Sequence, residues 1–214
     1  VNGDGDFTFT RASAATRVGA DGFIEKETSN LLLQSNQFDT TWTDFGNPTL
    51  TSGQSGYDGT NDAWLFQNNG SDYIRQDASS GLATFSIYAK ANTGDFIYLF
   101  ADGVGGRYFN LNSGTLGTEV LTNLIESKIE SVGNGWYRCI IVVPSFTRIR
   151  MYASLIDGDI SSVANIYIQD AQLNQGLVAQ PYQETTTTAV YGGITDNTPR
   201  LDYTDSSCPA LLLE

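Results

Sequence analysis

Apolar and polar residues alternate at every second position through most of this chain. In 83–91 (ATFSIYAKA), Phe85, Ile87 and Ala89 point one way and Thr84, Ser86, Tyr88 and Lys90 the other. That is the two-residue period of a strand with one buried face. The same pattern runs through 95–102 (DFIYLFAD), 107–114 (RYFNLNSG), 147–155 (TRIRMYASL) and 164–173 (ANIYIQDAQL). The stretch 135–144 (GWYRCIIVVP) is more apolar and reads as a central strand. Earlier come 29–38 (SNLLLQSNQF), 41–45 (TWTDF) and 62–68 (DAWLFQN). Turns built on NTG, NSG, GNG and DGD separate these runs. One segment departs from the period: 119–131 (EVLTNLIESKIES) sets Val120, Leu121, Leu124, Ile125 and Ile129 on a helical stripe, and leaves helix, strand and loop open. Roughly eight or more short strands between 30 and 185, each with one apolar face, predict a two-sheet antiparallel sandwich.

Two flanking pieces differ in character. Residues 1–28 hold DFTFTRAS, a short strand, and RVGADGFIE, a hairpin about Ala-Asp-Gly. Residues 191–214 hold two strand-like pieces, PRLDY and PALLLE. The Thr-rich 184–190 (ETTTTAV) reads as a tether. The opening Val1 and the closing ALLLE read as the ends of a piece of a longer protein.

Composition narrows the chemistry. With 11 Phe, 11 Tyr and 3 Trp the chain can build a core. Its 24 acidic against 11 basic residues, a net charge of −13, oppose nucleic-acid binding. It has no histidine, which removes Ser-His-Asp and Cys-His catalysis and the commonest zinc ligand. No apolar run approaches the ~18 residues of a membrane span, and no signal peptide opens the chain. Of two cysteines, Cys139 reads as a small buried hydrophobe and Cys208 falls in the closing segment, with a bond between them a minor alternative.

The residues then become recognisable. FTFTRASAATRVGADGFIE (7–25) and NTPRLDYTDSSCPALLLE (197–214) resemble the two halves of a segment found in virion proteins of tailed bacteriophages. Between them, NLLLQSNQFDTTW (30–42), FSIYAKA (85–91), YFNLNSGTLGT (108–118), IESVGNGWYR (129–138) and IYIQDAQLNQGLVAQPYQETTTTAV (166–190) resemble, in order, a carbohydrate-binding-module jelly roll. The resemblance implies an all-β chain: a jelly-roll, concanavalin-like antiparallel β-sandwich at 29–190, inserted into a small β motif formed by 1–28 and 191–214. It implies a place on the surface of the virion, other virion subunits as partners and a homo-oligomer in the particle. Gln169 stands where the module usually has an aromatic, so a sugar-stacking role at that position is lost.

Three kinds of site follow. Strand alternation sets Tyr88, Lys90, Tyr108, Asn110, Arg150 and Tyr152, joined by Tyr98, opposite the aliphatic positions; if those strands are neighbours they make one Tyr-rich polar face. Such a face suits a host-surface polysaccharide or a protein partner, or merely a solvent-facing sheet. Trp42, Trp64 and Trp136 default to packing. NGDGD (2–6) and DGDISS (157–162) place Asp4, Asp6, Asp157 and Asp159 in Gly-rich loops, where a structural Ca²⁺ competes with simple turn formation. No other cofactor is expected. Paired-carboxylate glycoside hydrolysis finds no inward-facing pair, so the expectation is no enzyme. The sequence reading is therefore a non-catalytic glycan-binding adhesion module of a phage virion protein. The alternative is a structural or decoration domain that contacts neighbouring virion subunits.

Overall fold

A computed structural model describes residues 28–192, together with three-residue strands at 16–18, 24–26, 200–202 and 210–212. The chain separates into two compact units, Val1–Thr28 with Tyr191–Glu214, and Ser29–Val190. In the first, β1 (Thr16–Val18) and β2 (Ile24–Lys26) pair antiparallel, and the expected Ala-Asp-Gly turn between them lies outside the described residues. β3 (Thr28–Asn30) pairs with β16 (Val190–Gly192), where the chain enters and leaves the sandwich. β17 (Arg200–Asp202) pairs with β18 (Ala210–Leu212). Among the described residues, the backbone partner of the closing Leu-rich strand is its neighbour in sequence, with Leu201 opposite Leu211.

The second unit is all strand and loop among the described residues, and no helix there is long and apolar enough to cross a membrane. Its strands are β4 (Thr43–Phe45), β5 (Thr49–Gln54), β6 (Ala63–Asn68), β7 (Tyr73–Ser80), β8 (Ala83–Ala91), β9 (Phe96–Ala101), β10 (Gly105–Asn110), β11 (Thr115–Val120), β12 (Glu126–Gly133), β13 (Trp136–Val143), β14 (Phe146–Ser154) and β15 (Ala164–Gln175). They form two antiparallel six-stranded sheets. The front sheet has the order β11-β10-β9-β14-β7-β4 and the back sheet β12-β13-β8-β15-β6-β5. This is the β-sandwich that the alternation predicts.

The core lies between the sheets. Ile97, Leu99, Phe109, Ile149 and Met151 come from the front, and Phe66, Phe85, Ile87, Ile141, Ile166 and Ile168 from the back, all with no more than trace exposure. Trp42 and Trp64 join this core beside Phe38, and their indole N–H groups donate to the carbonyls of Gln34 and Asn36. Cys139 is a free, fully buried thiol in the same core, its pKa pushed up by that burial; Cys208 lies outside the described residues.

One open segment is decided by the structure, and two sequence expectations need correction. The helical stripe of 119–131 forms the end of β11, a turn and most of β12, the two edge strands, whose half-exposed faces tolerate the irregular apolar pattern. The strand expected at 29–38 is β3 followed by turns, because side chains there replace a ladder. Gln76 accepts from Leu33 N and donates to Leu33 O, standing in for a neighbouring strand. The 184–190 stretch is no free tether. Thr185 is 2% exposed, its Oγ1 donates to Leu32 O, and Gln34 N donates to Thr186 O.

Gly46, Gly105 and Gly114 each combine a positive φ with no room for a Cβ, and at Gly105 the nearest obstacle is backbone. Gly105 opens β10 at φ +133°, and a Cβ there would lie 2.3 Å from Val120 O. Gly105→Ala is expected to destabilise the sandwich by about 2 kcal/mol or more, read as a lower urea midpoint at unchanged m.

Candidate functional site

The outer face of the back sheet is occupied by the chain itself. Residues 176–186 run across it, held by alternate outward side chains. Thr84 Oγ1 donates to Gly176 O, Asn174 Nδ2 to Val178 O, Gln172 Nε2 to the carbonyls of Gln180 and Pro181, and Arg138 to Gln180 O. This cover buries Ile140 and Val142 on the outward side of β13, which is why that strand reads as apolar throughout. At one end the loop 55–62 folds down as well. Tyr57 stacks on Tyr88 with ring centroids 3.8 Å apart, and both join Trp136, Ala63 and Tyr167 in a small cluster outside the main core.

Gln169 organises this loop. Its Oε1 accepts from Tyr57 N, while its Nε2 donates to Asp62 (2.7 Å) and Asp58 (3.2 Å). The residue is fully buried. The back sheet therefore uses position 169 to fasten a loop, not to present a side chain to a ligand. Next to it Asp170 sits in a β-bulge at φ +56°, an angle that Asp tolerates better than most residues. Its Oδ2 accepts from Tyr57 Oη at 2.9 Å. Burial raises its pKa to about 7, against the Tyr57 hydrogen bond and with the help of the Asp62 and Asp58 charges. Asp58 is also partly desolvated, but hydrogen bonds from Thr60 and Gln169 hold it below the usual range. Diverging carboxylates can mark an acid–base pair. Here Asp170 is 6% exposed beneath Tyr57, so the group packs a loop and opens no cleft to a substrate.

The front sheet differs. Its strand register lines up one aromatic residue per strand on the outer face. Tyr108 is opposite Tyr98, Tyr98 opposite Tyr152, and Phe45 opposite Tyr73; Met151 opposite Ile74 brings Tyr152 beside Tyr73. The rings form a ladder across β10, β9, β14, β7 and β4. Successive centroids are 4.2, 5.5, 4.8 and 4.7 Å apart, the first and last pairs nearly parallel. Five strands spaced about 4.8 Å apart make it roughly 19 Å long. Gly106 shares this face, and a Cβ there would come within 2.8 Å of Tyr98 Cε2, so the glycine leaves room for the ring.

The ladder is not a row of open platforms. Tyr98, Tyr108 and Tyr152 are only 2–5% exposed, packed on one another and against Phe96, Phe100, Val120 and Ile160. The open ring is Phe45, 56% exposed and stacked on Tyr73. The hydroxyls of Tyr73, Tyr98 and Tyr108 have no hydrogen-bond partner among the described residues. Burial raises the Tyr98 and Tyr108 pKa values, the latter to about 12 with Asp159 and Asp157 adding to it. Both phenols stay protonated donors at neutral pH.

Charged residues flank the ladder on one side. Arg150 lies with its guanidinium carbon 5.0 Å from the Tyr73 ring centre and 5.5 Å from that of Phe100. Its Nη2 donates to Asp102 Oδ2 at 2.6 Å, and Arg148 reaches the same oxygen at 3.1 Å while also pairing with Asp77. The second oxygen of Asp102 is buried with no partner among the described residues.

The seven residues expected on one Tyr-rich face are therefore divided. Tyr98, Tyr108, Asn110, Arg150 and Tyr152 share the front sheet. Tyr88 and Lys90 stand on β8 in the back sheet, with Tyr88 beneath Tyr57. Asn110 turns its Oδ1 to the backbone N–H groups of Asn112 and Ser113 and shapes the turn after β10. The structure adds Phe45, Tyr73, Arg75 and Asp102. Of these, Asp102 had a legible signal, because it continues the outward positions of Tyr98 and Phe100 along 95–102. Of the expected calcium ligands, Asp4 and Asp6 lie outside the described residues. Asp157 accepts from Thr118 N, and Asp159 accepts from Ser161 N and Oγ, which lowers its pKa. Among the described residues no three acidic or thiol groups converge as a metal site would need.

No protein-family model and no curated protein sequence matches the chain. Among solved structures it is similar to the CBM22-1–GH10 modules of endo-1,4-β-D-xylanase 10B from Clostridium thermocellum, complexed with xylohexaose. That match has a TM-score of 0.40 and 12% identity over 73% of this chain and 30% of the other. It is also similar to the CBM51-2 and INT domains of ZmpB from Clostridium perfringens, with a TM-score of 0.36 and 10% identity over 76% of this chain and 36% of the other. The chain thus spans about a third of the length of each.

Proposed function

We propose that the outer face of the front sheet is a non-catalytic glycan-binding surface, and that the chain serves as an adhesion module of a phage virion protein. The observation that carries the site is the five-strand ladder of Phe45, Tyr73, Tyr152, Tyr98 and Tyr108 beside the Arg150–Asp102–Arg148 group. Sugars offer an apolar ring face and a rim of hydroxyls. Phe45 supplies an open ring, while phenol hydroxyls and guanidinium groups supply hydrogen-bond donors. The length of the ladder suits an extended oligosaccharide better than a monosaccharide. The placement in a virion is supported by the resemblance of 7–25 and 197–214 to phage virion segments. Each site would bind weakly, and many copies on a particle would supply avidity.

A glycan array followed by titration with host-surface polysaccharide tests this reading. Phe45→Ala and Arg150→Gln are expected to weaken binding about tenfold or more, equivalent to about 1.4 kcal/mol. Lys90→Ala, on the opposite sheet, is expected to leave it unchanged. A protein that binds no glycan, or whose binding ignores Phe45, would refute the assignment.

A second reading has its own observation. Leu82, Leu177 and Val178 are 40–66% exposed, and the latter two line a cleft with Ile140 and Val142 on the back sheet. An apolar patch of this kind suits contact with a neighbouring virion subunit. Retained particle assembly with Leu177→Ser and Val178→Ser would remove it.

A further inference from the structure

The sandwich, residues 29–190, carries seven Lys and Arg against fifteen Asp and Glu. In so acidic a unit, the outer face of the front sheet gathers three arginines beside one end of the aromatic ladder. Arg75 and Arg150 are direct cross-strand partners. Like charges in that relation repel and destabilise a sheet. Asp102 and Asp77 pair with Arg148 and Arg150, but among the described residues Arg75 forms no ion pair. Thr43 is its partner on the other side, and the exposed Phe45 is two residues away on the same strand. The other end of the ladder has the opposite sign: a Cβ at Gly117 would lie 2.6 Å from Asp157 Oδ1 and 3.0 Å from Tyr108 Cβ, and the Asp159 and Asp157 charges help raise the Tyr108 pKa. The face is thus polarised, basic beside Tyr73 and acidic beside Tyr108.

From this polarity we infer that the ligand is an acidic glycan whose carboxylates are separated by neutral sugars, and that Arg75 reads the carboxylate. A guanidinium with no partner of its own offers a carboxylate a forked pair of charge-assisted hydrogen bonds. Bound there, the carboxylate also relieves the repulsion between Arg75 and Arg150. Neutral sugars then extend along the tyrosines toward the acidic end, which would repel a glycan charged at every residue. The inference rests on the glycan-binding reading above and specifies the ligand class.

The test uses gellan, xanthan and hyaluronan, in which neutral sugars separate the carboxylates. Each is compared with its carboxyl-reduced form, with polygalacturonate, charged on every sugar, and with neutral dextran and xylan. At least one of the three acidic glycans is expected to bind, with its carboxyl-reduced form weaker by about tenfold or more, the scale of a hydrogen bond to a charged group. Arg75→Gln is expected to abolish that difference, and Arg75→Lys to keep part of it. The melting temperature of Arg75→Gln should be unchanged or raised, since a repulsive pair has been removed, which separates loss of recognition from loss of fold. Equal binding of acidic and reduced forms overturns the inference, as does Arg75→Gln weakening both alike or polygalacturonate binding best. Binding confined to neutral glycans also overturns it and leaves the glycan-binding reading intact. Binding to no glycan removes both.

Discussion

Asn68→Ala is expected to cost about 4 kcal/mol or more in urea unfolding followed by tryptophan fluorescence. Asn68 ends β6 with no exposed surface and uses its whole amide. Nδ2 donates to the carbonyls of Ala153 and Ile160, both at 2.9 Å, and more distantly to Ser162 O. Oδ1 accepts from the backbone N–H groups of Gly70 and Asp72, both at 2.8 Å. Truncation removes this partner from Ala153 O, Gly70 N and Asp72 N, while Ile160 O keeps its bond from Ser71 N, at about 1–3 kcal/mol for each group left stranded before relaxation. Set against a total stability of about 5–15 kcal/mol, this approaches unfolding. The effect reaches the candidate site, because Ile160 packs against the tyrosine cluster. Asn68→Asp separates the two halves of the amide: it keeps the acceptor for Gly70 and Asp72 but turns an oxygen toward the carbonyls. It should be as destabilising as alanine at neutral pH. A cost below about 1 kcal/mol for both variants would show that these bonds are replaced by water.

The second large effect is a pH dependence that runs opposite to ordinary acid denaturation. Asp170 is raised to about 7 in the folded chain, chiefly by burial, against an ordinary value of 3.8. Between these values the native state holds a proton that the unfolded chain has released. Stability therefore falls as pH rises through this window. Above pH 7 the full cost of about 4 kcal/mol is present. From pH 8 down to pH 5 the protein should gain about 3 kcal/mol from this one group. The chain has no histidine, so the window is free of the side chain that usually dominates it. Asp58 and Asp159, held low by hydrogen bonds, act in the opposite sense and only below the ordinary carboxylate range. Asp170→Asn keeps the acceptor for Tyr57 and tolerates the positive φ. It is expected to be more stable than the parent at pH 8 and to lack the gain at pH 5. Parallel unfolding curves for parent and variant across pH 5–8 would show that Asp170 titrates normally.

Much of the sandwich could be read from alternation alone. The runs at 62–68, 83–91, 95–102, 107–114, 147–155 and 164–173 each contain a strand, because one buried and one outward face leave a two-residue signature. β7 was not legible. Its inward Gln76 breaks the apolar pattern, since that amide serves as the partner of Leu33 in place of a strand. β5, with an almost wholly exposed edge, has little apolar signature to read. The buried amides Asn30, Asn68, Gln172 and Asn174 escaped notice for a related reason. Polar residues among strands look like surface until the loops that they tie down are known.

The local sequence determined which side chains share a face of each strand, since the pleat fixes that within the strand itself. Tyr98, Tyr108 and Tyr152 were recognisable in this way as outward residues. So were Tyr88 and Lys90, by the same rule. Only the tertiary structure decided that the first three stack in one ladder while the other two stand on the opposite sheet, Tyr88 beneath a loop. Pleating is local, but a strand's sheet and register follow from long-range pairing, in which β8 lies between β13 and β15, and β9 between β10 and β14. Cover is long-range too. Residues 176–186 close one sheet, and the other keeps its ladder of aromatic rings beside three arginines.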